Sequence, residues 1–317
     1  MKLKANLGAD GAILLTTLIW GSTFAVARGV LDHWPPLQYL AVRMPLAALV
    51  FAALFPRRVF GATRAAWRAG ATLGALIGAA FLLQTVGLLY TTPAKSAFIS
   101  GLTTPLIPIV AYVVWRTRPS RENLIGIVLA SIGGALILAP VEAAGVVNKG
   151  DLITLSTTLL FATHVTLMSL YARRFDVRQL SALQITVAAA FILGAWLCVR
   201  AAVALAGAGA LPPGLAREAE PLAWSASATW QLAYLVLIAT VAVFMIWTWG
   251  QARMSATHAA VIFSLEPVFA TAFAVALRGS AEWTGGRATV GALLVVAGVI
   301  VSELRWGREE REVDSRQ

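Results

Sequence analysis

Residues 228–250 read ATWQLAYLVLIATVAVFMIWTWG and contain no charged side chain in 23 positions. A helix needs about 20 consecutive apolar residues to cross the hydrocarbon core of a bilayer, because each residue advances it by about 1.5 Å. The stretch is therefore long enough to span a membrane. It predicts an all-α integral membrane protein, and the rest of the chain repeats the pattern.

Segments of the same kind recur from one end of the chain to the other. A buried helix of a soluble protein is the alternative for one apolar run, but ten runs in succession argue against it. Lys2 and Lys4 before an apolar run are typical of a signal peptide, yet no A-x-A-like site precedes Arg28, so we expect a retained first helix. We predict ten transmembrane helices at about 11–28, 36–55, 70–90, 95–115, 123–140, 150–171, 179–205, 228–250, 256–277 and 286–303.

The overall composition agrees with a membrane protein. Of 317 residues, 59% are hydrophobic and 13% are charged, against about 25% charged in soluble domains. One cysteine, Cys198, and three histidines argue against a disulfide framework and a cysteine-rich zinc site. No P-loop or hydrolase motif occurs in a suitable context. We therefore expect no cofactor, no metal, no catalytic residue and no built-in ATPase.

The net charge of +10 has a topological explanation. With ten spans, 17 of the 25 Lys and Arg residues fall on one side of the membrane. This is the positive-inside pattern, so we expect both termini in the cytoplasm of a multi-pass inner-membrane protein, and no nucleic-acid partner. The 17 are Lys2, Lys4, Arg57, Arg58, Arg64, Arg68, Arg116, Arg118, Arg121, Arg173, Arg174, Arg178, Arg253, Arg305, Arg308, Arg311 and Arg316.

The two halves of the chain resemble each other. A shift of 141 residues aligns Asp10 with Asp151, a shift of 162 aligns Pro105 with Pro267, and a shift of 165 aligns two glycine pairs. The glycine pairs are Gly126 with Gly291, and Gly133 with Gly298. Five spans per half is an odd number, so the second half must be inverted relative to the first. Inverted repeats are typical of secondary transporters.

This arrangement predicts the domain boundaries. We expect a cytoplasmic N-terminus at 1–9, a first repeat at 10–140, a second repeat at 150–304 and a cytoplasmic basic tail at 305–317. An extracytoplasmic loop at about 206–227 accounts for the change in shift between the repeats.

Several short motifs carry a family resemblance across residues 10–304. They are Trp20-Gly21-Ser22-Thr23-Phe24, Arg43 after Pro35-Pro36, Gly87-Leu88-Leu89-Tyr90-Thr91-Thr92, Ala94-Lys95-Ser96-Ala97-Phe98, Lys149-Gly150-Asp151 and Ser264-Leu265-Glu266-Pro267. In order and spacing this set resembles the EamA-type branch of the drug/metabolite transporter superfamily. The resemblance implies ten helices in two five-helix EamA repeats, alternating access and export of small metabolites.

Glu266 and Arg43 are charged residues well inside predicted spans, where an ion is costly unless it pairs or lines a cavity. Glu266 is either a proton-coupling or substrate-binding carboxylate, or a structural carboxylate beside the helix interruption at Pro267. Arg43 either clamps a substrate carboxylate with its planar guanidinium or pairs with backbone carbonyls.

Three further residues can carry or exchange a charge. Lys95 either extends toward the headgroups or lines the cavity. His164 and His258 are either proton relays or hydrogen-bonded packing residues. Because they are eight positions apart, His258 and Glu266 would share one face of a continuous helix.

Aromatic residues predict a pocket for apolar or cationic groups, although such residues also face lipid. The candidates are Trp20, Phe24, Phe98, Trp247 and Trp249, with Thr23 and Gln84 as polar neighbours. Pro105 and Pro267 interrupt corresponding helices, which is a sequence sign of a transport site. We expect the site between the first, third, fourth, sixth, eighth and ninth spans.

Four functions compete on this sequence. A secondary exporter is favoured, and a lipid or lipid-linked-sugar flippase of the same fold is the alternative. A membrane enzyme lacks clustered polar catalytic residues, and the matched prolines favour transport over a receptor or channel. Cationic candidates outnumber the one deep acid, which favours a zwitterion or anion such as an amino acid. We expect a small-molecule substrate, contact with the bilayer, coupling to protons, and a monomer or weak dimer.

Overall fold

Regular structure in the described part of the chain is helical throughout, without a strand. The computed structural model describes residues 3–31, 33–88, 90, 99–116, 118–138, 148–207, 209, 211, 213–278 and 285–303. The α-helices are α1 Leu3–Leu31, α2 Pro36–Leu54, α3 Pro56–Phe60, α4 Arg64–Leu88, α5 Thr103–Trp115, α6 Arg121–Leu138, α7 Lys149–Arg174, α8 Val177–Ala206, α9 Ala226–Val236, α10 Val243–Gln251, α11 Ala256–Phe263, α12 Glu266–Arg278 and α13 Gly286–Glu303.

Six stretches within these residues are helical, long and apolar enough to cross a membrane. They are Pro36–Leu54, Arg64–Gly87, Lys149–Arg174, Val177–Ala206, Ala226–Gln251 and Ala256–Phe273. Two further apolar helices, Ile99–Trp115 and Gly286–Val301, are shorter. The first and fifth predicted spans coincide with α1 and α6, which are helical but not among the six. The protein is a multi-pass helical membrane protein.

Two predicted spans are less regular than their composition suggests. The span predicted at 256–277 is broken at Ser264 and Leu265, between the end of α11 and the start of α12. Pro267 is tolerated as the second residue of α12, because the first turn of a helix has no use for its missing N–H. The span predicted at 228–250 contains a π-helical turn, Leu237–Ala242, between α9 and α10.

Helices α6 and α13 approach each other through glycines. A Cβ atom built on Gly133 would lie 2.5 Å from the backbone oxygen of Gly291, and one built on Gly298 would lie 2.5 Å from that of Gly126. A methyl group at either position would clash with the opposite backbone, so only glycine permits the two helices to lie this close. Gly134, one position along, has no heavy atom nearer than 4.0 Å to its built Cβ.

Helices α1 and α7 each pack against several other helices. Helix α1 packs against α9, α10, α11 and α12, whereas α7 packs against α4 and α5. Helices α2 and α4 both pack on α8. A 3-10 helix, Pro213–Ala219, lies in the connection between α8 and α9. The side chains discussed next lie mainly where α1 meets α10 and α11, and where α7 meets α8 and α10.

Candidate functional site

Four aromatic side chains meet where α1 packs against α10 and α11. Trp20 stacks on Phe263 with ring centroids 5.7 Å apart, and meets Phe244 and Trp247 edge-on at 5.9 Å and 5.3 Å. Trp247 also lies 5.5 Å from Phe244 and 6.1 Å from Phe263. We call these four residues the aromatic cluster. It joins the first half of the chain to the second, as a substrate site between the halves requires.

Two helix irregularities position the cluster. The π turn carries the Ala239 carbonyl, which accepts a hydrogen bond from Trp20 Nε1 at 3.3 Å. π turns occur often at functional sites, because they widen the helix and rearrange its carbonyls. The break after α11 ends that helix at Phe263, so its ring can lie against Trp20.

His164 extends the cluster toward α8. Its ring stacks on Trp247 at 5.2 Å, and its Nε2 lies 3.0 Å from Gln184 Oε1. His164 and Gln184 are completely buried. The predicted site residues Trp20, Trp247 and His164 are therefore in one group of contacts.

Arg43 also contacts the π turn, at the residue after Ala239. Its Nε donates to Thr240 Oγ1 at 3.1 Å and its Nη1 to the Tyr39 hydroxyl at 2.8 Å. These partners are hydroxyl groups and not the backbone carbonyls of the sequence-based alternative. Within the described residues no carboxylate forms an ion pair with Arg43. Three of its five N–H donors therefore have no partner among the described residues.

Glu266 is the first residue of α12, directly after the break. A carboxylate is favourable in the first turn of a helix, where the backbone N–H groups point outward. In the part of the chain that the structure describes, its carboxyl group has no hydrogen bond or ion pair. Among the described residues, this side chain does not form the hydrogen bond expected of a carboxylate that repairs the broken helix.

His258 has a partner that the sequence did not suggest. Its Nε2 lies 2.8 Å from Asp10 Oδ1 on α1, and its side chain is completely buried. The premise that His258 and Glu266 share one continuous helix is wrong, because the break at Ser264 and Leu265 separates them. His258 instead connects the start of α11 to α1.

The other predicted residues divide into three groups. Gln84 Nε2 donates to Ser100 Oγ at 3.0 Å, and Thr23 Oγ1 donates to the Trp20 carbonyl at 2.7 Å. Trp249 is 36% exposed and lies under the Arg253 guanidinium at 3.9 Å, apart from the aromatic cluster. Three positions lie outside the described residues, namely Lys95, Phe98 and the side chain of Phe24.

The interruption predicted at Pro105 and Pro267 has a structural counterpart in both helices. Leu102 donates to the Ile99 carbonyl at 3.0 Å just before α5, and Leu265 donates to the Ile262 carbonyl at 3.1 Å just before α12. Pro105 and Pro267 each follow within three residues. Pro108, by contrast, lies inside α5 without ending it.

Sequence reasoning missed the residues that complete these contacts. Phe244 and Phe263 are ordinary members of apolar runs, and Gln184 and Thr240 are isolated polar residues within such runs. The one available signal was Asp10, which the internal repeat pairs with Asp151. An acidic residue at the start of the first repeat implies a partner, although the sequence does not say which one.

The aromatic cluster therefore lies beside the π turn that Arg43 also contacts, and Glu266 begins α12 three residues after Phe263. The sequence profile of the EamA-like transporter family matches residues 7–139 and, a second time, residues 148–304. The chain belongs to the EamA-like transporter family.

Similar proteins carry the name of transporter without a substrate. An uncharacterized transporter of Archaeoglobus fulgidus is 29% identical over 300 residues, covering 95% of this chain and 87% of that protein. The uncharacterized transporter YyaM of Bacillus subtilis is 24% identical over 301 residues, covering 90% of each chain. A solved crystal structure of a protein shares the fold with a TM-score of 0.70 at 18% identity, covering 94% of this chain and 98% of the other.

Proposed function

We propose that this EamA-family protein is a secondary transporter that exports small zwitterionic or organic metabolites, such as amino acids, by alternating access across the inner membrane. The observation that carries the proposal is the aromatic cluster, in which Trp20 of the first half meets three rings of the second half. A site at the interface of two repeats becomes accessible from alternate sides when the repeats rock against each other.

The ten-helix inverted repeat is part of this proposal, and the aromatic contacts support it. Trp20 and Phe244 meet at 5.9 Å with ring planes at 67°, and Phe161 and Phe81 meet at 5.8 Å, also at 67°. Trp20 aligns with Phe161 in the internal repeat, and the third span of each half supplies the partner. An inverted repeat would relate these two contacts to each other, so their similar geometry supports the proposal.

The glycine contacts between α6 and α13 follow the same relation. Exchanging the halves by the shift of 165 residues turns the contact of Gly133 with Gly291 into one of Gly298 with Gly126. Both close approaches occur. The paired interruptions before α5 and α12 agree as well. These regularities favour a first repeat at 10–140 and a second at 150–304, and the distribution of Lys and Arg favours both termini in the cytoplasm.

The charges around the aromatic cluster suggest the substrate class. Arg43 suits a carboxylate, because its guanidinium can donate two parallel hydrogen bonds. Glu266 suits either an ammonium group or an exchangeable proton. A hydrophobic amino acid carries both charges and an apolar body. It could therefore contact Arg43, Glu266 and the aromatic cluster.

Protons are the proposed coupling ion. Glu266 is the principal candidate for the coupling site, and His164 and His258 are the other relay candidates. When Glu266 loses its proton it becomes an ion near the middle of the membrane, which favours the conformation that exposes it to water.

A flippase of the same fold is the rival, and one groove bears on it. A cavity of about 290 Å³ lies between α2, α3 and α8, and includes Pro45, Phe60 and Leu193. Thr186 is its single polar side chain. The groove can hold an acyl chain but offers no site for a polar headgroup crossing the membrane. This groove therefore gives no support to the flippase, and the aromatic cluster favours export of a small water-soluble molecule.

The proposal is tested with purified full-length protein and a panel of amino acids, organic acids, amines and lipids. A ligand that binds only the folded state raises the melting temperature. We expect stabilisation by zwitterions or organic anions, and loss of that stabilisation in Trp20→Ala. Trp230→Ala is the matched control, because Trp230 is 67% exposed and outside the cluster. Stabilisation by lipids alone would contradict the proposal and favour the flippase.

A further inference from the structure

Polar side chains line the interface where α7, α8 and α10 meet. His164 on α7 contacts Gln184 on α8 and stacks on Trp247 of α10. Ser181 on α8 donates a hydrogen bond to Thr248 Oγ1 of α10 at 3.0 Å. We call this interface the polar seam, and it consists of His164, Ser181, Gln184, Trp247, Thr248 and Gln251.

Five polar atoms of the seam have no hydrogen-bond partner within the described residues. They are His164 Nδ1, Gln184 Nε2, Trp247 Nε1 and both Nε2 and Oε1 of Gln251. Trp247 is 1% exposed, and the other three side chains are 0% exposed. Buried polar groups in folded proteins are almost always hydrogen-bonded, either to protein or to ordered water.

Alternative side-chain assignments do not supply the missing partners. Both polar atoms of the Gln251 amide lack a partner, so exchanging its nitrogen and oxygen changes nothing. Turning the ring of His164 by 180° exchanges Nδ1 with Cδ2 and Nε2 with Cε1, so the ring would give up its contact with Gln184 Oε1. The missing hydrogen-bond partners are therefore a property of the polar seam itself.

Two contacts show how α7 and α10 are oriented relative to each other along the polar seam. His164 meets Trp247, and nine residues later on α7 Arg173 donates a hydrogen bond to the backbone oxygen of Met254, seven residues beyond Trp247. The two helices thus run in the same direction, and Gln251 lies between the two contacts. From Trp247 to Gln251 is about one helical turn, roughly 5–6 Å.

We propose that the polar seam is a binding site for ordered water. Bridging water molecules accept hydrogen bonds from the indole and amide N–H groups and donate one to Gln251 Oε1. A buried water needs two to four polar partners, and the orphan atoms supply them. None of the six seam residues is an Asp, Glu, Lys or Arg, so the seam does not favour a bound ion over neutral water.

This hydration site goes beyond the proposed transport function, because it needs no substrate. It extends from Gln251, the last residue of α10, to His164, whose ring lies against the aromatic cluster. The second half of the protein therefore contains water within reach of a titratable side chain in its interior.

Radiolytic hydroxyl-radical labelling of the full chain in lipid nanodiscs, read by mass spectrometry, tests the proposal without substrate. Radicals form from water in place, so a buried side chain beside bound water is oxidised faster than its burial allows. Trp34 is the matched control, because it is 0% exposed and its indole N–H already donates to the Ala223 carbonyl at 2.8 Å. We expect Trp247 to be labelled at least about tenfold faster than Trp34.

Two variants establish the source of the label. Gln184→Leu and Gln251→Leu each remove an orphan amide, and we expect the labelling rate of Trp247 to fall toward that of Trp34. Equal rates for the two tryptophans in the wild type overturn the proposal, and this comparison needs no variant. Rapid labelling of Trp247 that persists in both variants also overturns it, because the radicals then come from general opening of the helices.

Discussion

Nε2 of His258 lies 2.8 Å from Oδ1 of Asp10, so a buried imidazole at the start of α11 contacts a carboxylate on the first helix. The two residues are 248 positions apart in the chain. Both helices also contribute to the aromatic cluster, through Trp20 and Phe263. In the proposed alternating-access cycle, this contact joins two helices that would separate when one end of the site opens.

The Asp10–His258 contact is expected to stabilise the described conformation. Asp10→Ala and His258→Phe each lower the melting temperature, and the double variant loses less than the sum of the two. The interaction energy should be about 0.5–3 kcal/mol, the range for residues in direct contact. Thermal unfolding of the wild type and the three variants measures it.

Arg217 and Glu220 provide the matched control for this cycle. Their charged groups lie 3.6 Å apart with side chains 44% and 55% exposed, and exposed pairs contribute about 0–1 kcal/mol. Strictly additive losses at Asp10 and His258 would show that their contact does not stabilise this conformation.

Gly133 and Gly134 are expected to respond oppositely to alanine. Gly133→Ala forces a methyl group against the Gly291 carbonyl at 2.5 Å, and overpacking of this kind costs about 1–3 kcal/mol. Gly134→Ala has no atom nearer than 4.0 Å and gains up to about 1 kcal/mol from helix propensity. The melting temperatures of the two variants, compared with that of the wild type, measure the two effects. Equal effects would rule out the close approach of α6 and α13.

Glu218 connects the loop between α8 and α9 to the start of α2. Its two carboxylate oxygens accept hydrogen bonds from the backbone N–H groups of Leu37 at 2.8 Å and Gln38 at 3.1 Å. Burial raises the pKa of Glu218 above its ordinary value of 4.5, although these hydrogen bonds and the charges of Arg217 and Arg200 act in the opposite direction.

The raised pKa predicts a pH dependence of stability. The folded state binds the proton of Glu218 more tightly than the unfolded state, so acidification favours folding through this group. Its contribution is complete below about pH 4.5 and is lost as the pH rises through the folded-state pKa. The difference in melting temperature between the wild type and Glu218→Gln should therefore shift in favour of the wild type from pH 8 to pH 5.

The change at Glu218 is compared with Glu220→Gln, which removes a half-exposed carboxyl from the same loop. A wild-type advantage over Glu218→Gln that shrinks on acidification would contradict the assigned direction.

Glu266→Gln is expected to separate two modes of transport. The amide keeps the size of the side chain and fixes it in a neutral state, so a cycle that needs a proton to leave and return is blocked. In reconstituted vesicles, net export driven by a proton gradient should fail, while substrate exchange should persist.

His164→Gln, run beside it, tests the second relay candidate in the same assay. Net export by Glu266→Gln with an unchanged pH profile would exclude Glu266 as the coupling site. Loss of both activities with poor folding would assign it a structural role.

Long apolar runs with clear boundaries made much of the helix pattern predictable. The spans at 36–55 and 286–303 agree with α2 and α13 to within one residue, because a proline or a glycine-containing polar segment borders each run. The interruption near Pro267 was also predictable, since proline cannot donate a backbone hydrogen bond.

The remaining features depend on contacts between distant segments. The π turn at Leu237–Ala242 coincides with the hydrogen bonds of Trp20 and Arg43, and nothing in the local sequence specifies it. His258 was paired with Glu266 by counting along a helix that is in fact broken. Gln184 was missed because one polar residue in an apolar run has no periodicity.

The central claim is that the two halves cross the membrane in opposite senses, and labelling of single cysteines tests it most directly. Cys198, which is exposed, is first replaced by serine. Arg64→Cys then reports on the connection before α4, and Glu220→Cys on the corresponding connection before α9. With a membrane-impermeant maleimide on intact cells, we expect Glu220→Cys to be labelled and Arg64→Cys to react only after permeabilisation. Labelling of both positions from the same side would contradict the inverted repeat and the transport mechanism built on it.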